Sequence, residues 1–242
     1  MTKCGGKALK IFVDFHGKLE TWKNFFYHLM IYVTVKFYNK ASPKKITLKF
    51  RVTKEESDNC EMDTRSQSKN KKWFSFRAGR ITASKIRSVY HTKIENPSKS
   101  LIKDICYPSS KVFSSKPTKW GCDHDSTAKQ HYVKFMMQHH DNFVLEESGF
   151  VINPEYPFMG ATPDAIGCCD CCGPILVEIK CPYCKRDSTK IGDNITCLET
   201  KDGKLSLMKS HAYYYQVQCQ LLVCDKECCD FVVWTCNDFT GQ

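Results

Sequence analysis

Residues 174–182 read PILVEIKCP, an apolar run that carries a glutamate and a lysine where packing has no need for charge. The composition predicts a buried β-strand, in which alternate side chains face the same side. Glu178 and Lys180 therefore point together, while Val177 and Ile179 point the other way. Charged groups beside apolar packing have to be solvated or paired. A divalent metal with its water would pair them, and such an ion serves phosphodiester hydrolysis.

Two further segments complete one predicted active site. Asp164 lies in GATPDAIG, residues 160–167, and Gln216 lies in YYYQVQCQL, residues 213–221. Taken alone, a D…ExK pattern on an exposed strand is usually a surface ion pair. The apolar flanks of Glu178, the proline turn before Asp164 and the predicted helix that carries Gln216 favour a catalytic site.

The charge distribution favours a polyanion as partner. The chain has 242 residues and a formal net charge of +10, which allows one ordinary domain with or without an extension. Between Arg65 and Arg87 there are eight Lys or Arg residues, no acid and three interleaved aromatic residues. This pattern predicts a surface that faces nucleic acid, because a merely solvated face usually mixes both signs.

The 16 cysteines do not by themselves indicate secretion. Charged residues interrupt the N-terminal segment where a signal peptide needs an apolar core. The apolar run from Phe25 to Val35 has only 11 residues, and a membrane-spanning helix needs about 20. We therefore expect an intracellular protein with reduced thiols and no membrane association; the compartment stays open, and the nucleus is one candidate.

Helix and strand signals alternate after a domain start placed near Glu61. Residues 1–60 are interpreted as an N-terminal extension with strand-like runs at 31–37 and 46–52, and residues 61–242 as the main domain, which begins after a polar linker at 58–72. Helices are predicted near 84–89, 101–105, 125–138 and 211–223, and strands or short elements at 143–152, 158–165, 175–179 and 231–234. These elements predict an α/β (α+β) fold, a short mixed sheet flanked by helices.

Five blocks then carry a family resemblance: RAGRITAS (77–84), WGCDHDSTAKQHY (120–132), GATPDAIG, VEIKCPY (177–183) and YYYQVQCQL. In this order they resemble the YqaJ-type viral recombinase nucleases, which belong with the lambda exonuclease-like proteins of the PD-(D/E)xK superfamily. The resemblance covers roughly residues 61–236. It implies a restriction-endonuclease-like core and a metal-dependent DNA exonuclease of recombination or repair, which works from a 5′ end and releases 5′-phosphorylated products.

The resemblance also implies roles for the predicted site residues. Asp164, Glu178 and the backbone carbonyl of Ile179 would bind a divalent cation, and oxygen ligands fit Mg²⁺ or Mn²⁺ rather than zinc. Lys180 would hold or help deprotonate the attacking water. Gln216 would position that water or Lys180.

Asp125 is a departure from the family pattern. The family usually has a glutamate four residues after the glycine of the WG pair, and here that position is Asp125. An aspartate carboxylate reaches about 1.5 Å less far. Two interpretations stay open, a catalytic acid that binds metal weakly or through water, and the N-cap of a helix. A catalytically impaired DNA-binding or assembly domain therefore stays an alternative function.

The resemblance implies that Arg77, Thr82, Ser84 and Arg186 bind the terminal 5′-phosphate of DNA. Arginine presents a planar fork to phosphate oxygens, and anions are favoured where a helix begins. For Thr82 and Ser84, helix capping is an alternative that can hold at the same time as phosphate binding. Trp73 and the tyrosines at 213–215 are interpreted as core or wall residues.

The cysteines cluster in CCDCC, residues 168–172, and in a CxxC at Cys181 and Cys184. Two such pairs would supply four thiolates to zinc. Adjacent cysteines in an extended turn are expected to point apart, so structural zinc is not favoured over reduced thiols, and His140 is assigned to the surface or core. Ring formation by lambda-type relatives leaves a homo-oligomer open. The last predicted strand ends early for this fold, which leaves a fragment or a divergent gene product open.

Overall fold

The computed structural model describes residues 7–14, 51–93, 96–110, 115–186, 195–201 and 203–236. Its strands are β1 (Lys7–Asp14), β2 (Ile81–Thr82), β3 (Val144–Glu146), β4 (Met159–Gly160), β5 (Ala165–Cys169), β6 (Gly173–Lys180), β7 (Leu198–Lys201), β8 (Lys204–Leu207) and β9 (Cys228–Thr235). Its α-helices are α1 (Lys54–Asp63), α2 (Lys71–Arg77), α3 (Ile86–Tyr90), α4 (Lys99–Cys106), α5 (Lys116–Met136) and α6 (Ala212–Cys224).

Five strands form a mixed sheet in the order β1–β9–β6–β5–β3. β6 pairs parallel with β9 and antiparallel with β5, so it lies at the centre of the sheet. Helix α5 packs on the face that carries Val177 and Ile179, and helix α6 packs on the face that carries Leu176. The expected fold class, a mixed sheet flanked by helices, is confirmed. Among the described residues, no helix combines the length and apolar character that a bilayer crossing requires.

The predicted polar linker at 58–72 is wrong at both ends, because helix α1 extends to Asp63 and helix α2 begins at Lys71. A reciprocal capping box starts this helix: the Thr53 hydroxyl accepts from the Glu56 N–H at 3.1 Å, and the Glu56 carboxylate accepts from the Thr53 N–H at 2.8 Å. Ser57 and Cys60 are buried on one side of it. Because this segment is polar, it has no apolar pattern from which helix α1 could be predicted. The helix is stabilised by its cap and by a narrow row of buried residues.

Helix α5 begins nine residues before the predicted start, so Asp125 is not an N-cap. The cap is Ser115, whose hydroxyl accepts from the Thr118 N–H at 3.2 Å, and Pro117 follows in the first turn. The capping role predicted for Thr82 and Ser84 is also wrong. In the described part of the chain neither hydroxyl caps helix α3, and the two oxygens instead lie 3.3 Å from each other.

The predicted strand 143–152 is shorter in the structure, since β3 covers only Val144–Glu146. Beyond it the chain leaves the sheet at Gly149, where an added Cβ would lie 1.8 Å from the Glu61 carbonyl oxygen. Residues 158–165 contribute only the two-residue strand β4 before β5. The strand-like run at 31–37 and residues 46–50 of the run at 46–52 lie outside the described residues, and residues 51–52 are not in a strand. The boundary near residue 60 stays a prediction.

Strand β1, which comes from the first 60 residues, forms an edge of the central sheet through its pairing with β9. A buried ion pair reinforces this pairing: Lys10 Nζ lies 2.9 Å from Asp230 Oδ2. The Tyr132 hydroxyl of helix α5 donates to the same oxygen at 2.6 Å. Asp230 is fully buried, so its charge depends on these two partners.

We expect Lys10→Ala to lower the free energy of unfolding by about 3 kcal/mol, because the buried Asp230 carboxylate loses its cation. Lys54→Ala, which breaks an exposed pair with Asp58, should lower it by less than about 1 kcal/mol. Urea unfolding measures both. Replacing Asp230 by Asn as well should recover part of the Lys10 loss; purely additive losses would contradict the coupling.

Candidate functional site

Glu178 is buried at the centre of the molecule, with 1% of its surface exposed. Gln216 Nε2 donates to its Oε1 at 2.6 Å, and Gln220 Nε2 donates to its Oε2 at 2.6 Å. Lys180 Nζ forms an ion pair with Oε1. Both carboxylate oxygens thus have donors, which is the condition for keeping a charge inside a protein.

Strand and helix periodicity bring these side chains together. Glu178 and Lys180 are two residues apart on β6 and share the face that helix α6 covers. Gln216 and Gln220 are four residues apart on α6 and therefore share a face of that helix. The sequence prediction named Gln216 but missed Gln220, although the i, i+4 spacing was a signal that could have identified it.

Asp164 stands immediately before β5, beside Glu178 in the neighbouring strand. Its N–H donates to the Val177 carbonyl at 3.1 Å, and its Oδ2 accepts from the Ile179 N–H at 2.7 Å. Burial, and secondarily the nearby Glu178 carboxylate, raise the pKa of Asp164 to about 7. The Glu178 carboxylate is therefore close enough to oppose the ionisation of Asp164.

The turn before Asp164 is held by hydrogen bonds from the segment that precedes helix α2 and from helix α2 itself. Gln67 Nε2 donates to the Pro163 carbonyl at 3.3 Å and to the Ser148 carbonyl at 3.1 Å. Trp73 Nε1 donates to the Thr162 hydroxyl at 3.1 Å. These bonds hold the two residues that immediately precede the acid, and they give Trp73 the wall position expected from the sequence.

Lys180 is held as a cation. Burial would lower its pKa, but the carboxylates of Glu178 and Asp164 outweigh this effect and keep the pKa above its ordinary value. Its Nζ also lies 4.9 Å from the centre of the Tyr213 ring, within the range of a cation–π contact. Protonated Lys180 can donate hydrogen bonds, and it is a poor proton acceptor.

Asp164 and Lys180 open onto a cleft of about 1050 Å³. Charged residues of both signs line it, among them Arg65, Lys69, Asp125, Lys129, Asp164 and Lys180. The four cations come from three separate segments of the chain. A cleft with acids at its wall and cations around them suits a phosphate backbone approaching a metal-binding centre.

Asp125 lies in this cleft, but it has a protein partner already. Lys129, one helical turn further along α5, places Nζ 3.1 Å from Asp125 and 2.9 Å from Glu147. Only 12% of the Lys129 side chain is exposed. The sequence prediction missed Lys129, although its spacing of four from Asp125 indicated a shared helix face.

The donor atoms of the site fit a hard divalent cation. Asp164 and Glu178 supply carboxylate oxygens from adjacent strands, and Ile179 supplies a backbone carbonyl between Glu178 and Lys180. Burial, and secondarily the Glu178 carboxylate, raise the pKa of Asp164, and a bound cation would stabilise its ionised form. Oxygen donors of this kind suit Mg²⁺ or Mn²⁺ and are a poor set for zinc.

The predicted phosphate-binding residues are not among the described residues that line this cleft. Thr82 is buried and Ser84 is exposed where their segment packs on helix α6. Arg77 stacks on Trp73 at 3.8 Å, and its Nε is buried with no hydrogen-bond partner among the described residues. Arg186 stacks on Tyr183 at 4.2 Å and donates to the Tyr183 carbonyl.

A family model described as the YqaJ-like viral recombinase domain matches residues 72–227. Among solved structures, LHK-Exo, an alkaline exonuclease from Laribacter hongkongensis, is 21% identical, covers 68% of this chain and 73% of its own, and has a TM-score of 0.45. The Shutoff and Exonuclease Protein from Kaposi's sarcoma associated herpesvirus is 22% identical, with coverage of 56% and 28% and a TM-score of 0.36. No curated protein sequence matches the chain.

We expect Asp164→Asn to raise the melting temperature of metal-free protein at pH 8. The folded-state pKa lies above the ordinary value, so ionised Asp164 destabilises the fold as pH rises through that range. The gain should shrink as pH falls from about 7 towards about 4, because the folded state then keeps its proton, and it should vanish at lower pH, where the carboxyl is protonated in both states. Calorimetry in EDTA, with Asp58→Asn as an exposed control, measures this; an unchanged gain at low pH would contradict it.

Proposed function

Because this chain belongs to the YqaJ-like viral recombinase domain family, we propose that it is a divalent-metal-dependent DNA exonuclease that works from a 5′ end and releases 5′-phosphorylated products. Family membership indicates a nuclease that acts on DNA. The metal dependence, the 5′ polarity and the place in recombination or repair are the parts that we infer for this chain.

The observation that carries the proposal is the buried Glu178 with its two amides and Lys180. A buried carboxylate that serves stability alone is usually replaceable by apolar packing. Here Glu178 and Lys180 lie side by side on the central strand and form an ion pair. The N–H of Ile179, which lies between them in sequence, donates a hydrogen bond to the Asp164 carboxylate. Asp164 and Lys180 line a cleft that is also lined by three further cations, and cations placed in this way can stabilise the charge of a phosphate.

A divalent cation bound by Asp164, Glu178 and the Ile179 carbonyl would polarise the scissile phosphate and lower the pKa of a water molecule. Lys180, protonated beside Glu178, would donate to that water or to the phosphate oxygens as negative charge develops. Gln216 and Gln220 would keep Glu178 in one orientation. Attack of the water on phosphorus would form the new P–O bond, displace the 3′ oxygen and leave the phosphate on the 5′ carbon of the product.

Arg77 supports the 5′-end part of the proposal. Burial lowers the pKa of its guanidinium to about 10, and its Nε lacks a partner among the described residues. A partly desolvated guanidinium with an unused donor would be stabilised by an anion. A terminal phosphate is the anion that an exonuclease of this polarity has to recognise.

One observation favours a second candidate, a DNA-binding or assembly domain with impaired catalysis. Lys129 neutralises Asp125, the acid that stands where the family usually has glutamate. If the reaction needs this acid as a free ligand, the fold would bind DNA without turnover. Binding without cleavage of an end-labelled duplex, in either Mg²⁺ or Mn²⁺, would support this second candidate over the first.

Glu178→Gln should slow cleavage of a 5′-labelled duplex by at least about 10³-fold, while DNA binding measured by anisotropy changes little. The amide keeps the shape of the side chain but removes the charge that holds Lys180 and would hold the metal. Glu147→Gln is the matched control, because Glu147 lines the same cleft and is 58% exposed. Equal rates for the wild type and Glu178→Gln would overturn the assignment.

Arg77 is expected to recognise the phosphorylated 5′ end of the DNA. In Arg77→Ala the preference for 5′-phosphorylated over 5′-hydroxyl duplex ends should fall about tenfold or more, the effect of losing a charge-assisted hydrogen bond. Arg87→Ala provides the control, since Arg87 is exposed and its Nε donates to the Ser210 carbonyl. Competition between the two labelled ends in one reaction gives the ratio directly. A proportional loss on both ends would contradict the role.

A further inference from the structure

Three thiols and one imidazole meet at the end of the sheet away from Glu178. His140 lies in the turn after helix α5, Cys169 ends β5, and Cys171 and Cys172 lie in the turn to β6. Their ligand atoms all lie within 4.8 Å of one another. The expectation that adjacent cysteines point apart is wrong for Cys171 and Cys172, because the chain reverses there and their sulfur atoms lie 3.7 Å apart.

The spacing of the four atoms matches a tetrahedral metal site. With Zn–S near 2.3 Å and Zn–N near 2.05 Å, tetrahedral angles place sulfur atoms about 3.8 Å apart and nitrogen about 3.6 Å from sulfur. His140 Nδ1 lies 3.6 Å from the sulfur atoms of Cys169 and Cys172 and 3.2 Å from that of Cys171. The sulfur atoms of Cys169 and Cys171 are 3.3 Å apart.

A disulfide does not account for this cluster. A bonded sulfur pair is about 2.05 Å apart, well below the separations found here, and the cysteines of the cluster are free. Bonds outside the cluster also hold the two turns together: Asn142 Nδ2 donates to Asp170 Oδ2 at 2.7 Å, and the Asp170 N–H donates to the Asp141 carbonyl at 3.1 Å. The ligands are thus prearranged by backbone and side-chain contacts that involve none of their own ligand atoms.

We propose that His140, Cys169, Cys171 and Cys172 bind one structural Zn²⁺ ion. Three thiolates and a neutral imidazole fill four positions, so the site is closed and has no place for a substrate. The three thiols release their protons when the metal binds. The ion joins the turn after α5 to the β5–β6 hairpin, about 20 Å along β6 from Glu178. It is therefore separate from the oxygen-ligand site, which suits a harder cation.

The test is metal analysis of the full chain, purified without chelator from zinc-supplemented cells. Wild type should carry about one zinc per chain, and Cys171→Ser and His140→Gln should lose it. Cys168→Ser is the matched control, because Cys168 lies in the same CCDCC run, faces the opposite side of β5 from Cys169 and is outside the cluster. Zinc content does not depend on nuclease activity, so its result is independent of the proposed function.

Cobalt substitution of the wild type covers the case in which the variants fail to fold. Co²⁺ added to metal-stripped protein should give the thiolate charge-transfer and visible bands of a tetrahedral sulfur-rich site, and one equivalent of Zn²⁺ should abolish them. Absence of zinc and of these bands in folded wild type would overturn the proposal. So would zinc retained in both ligand variants, iron in place of zinc, or thiol counts that reveal a disulfide within the cluster.

Discussion

The carboxylate of Glu178 is the constraint on which the site depends. An isolated charge at this depth would be strongly unfavourable, so the fold has to deliver donors to both oxygens. Strand β6 supplies Lys180 on the same face, and helix α6 supplies Gln216 and Gln220 one turn apart. The position of α6 over the sheet is therefore set by apolar packing against Leu176 and also by these polar bonds.

The pairing of β5 with β6 places Asp164 next to Glu178, where both carboxylates can bind one cation. β5 and β6 are joined by a tight hairpin, so the register that pairs Ala165 with Val177 also places Asp164 beside Glu178. The N–H of Ile179 fixes one oxygen of Asp164. Backbone pairing thus sets the separation of the two acids, and only small side-chain adjustments are left. A cation that binds both would find them already in position, with little conformational entropy to lose.

The sequence predicted the parts of this arrangement that follow from short-range periodicity. The ExK strand, the glutamine helix and the family resemblance required only local patterns. Contacts made by turns distant in sequence were harder to foresee: His140 reaches cysteines about 30 residues away because a helix end and a hairpin meet in space. Helix α1 and the start of α5 were missed because they are marked by capping residues, Thr53 with Glu56 and Ser115 with Pro117, and not by apolar periodicity. Hydrophobic patterning carries no signal of that kind.

Strand β1 has a consequence for how the chain acquires its structure. Its partner β9 lies near the other end of the sequence, with Lys7 opposite Thr235. Loop closure over that separation is slow and entropically unfavourable, so the pairing belongs to a late stage of folding. During synthesis on the ribosome β1 stays unpaired with β9 until residues 228–235 have emerged. For that interval Lys10 lacks its Asp230 partner, and the unpaired backbone groups of β1 are available to strands of other chains.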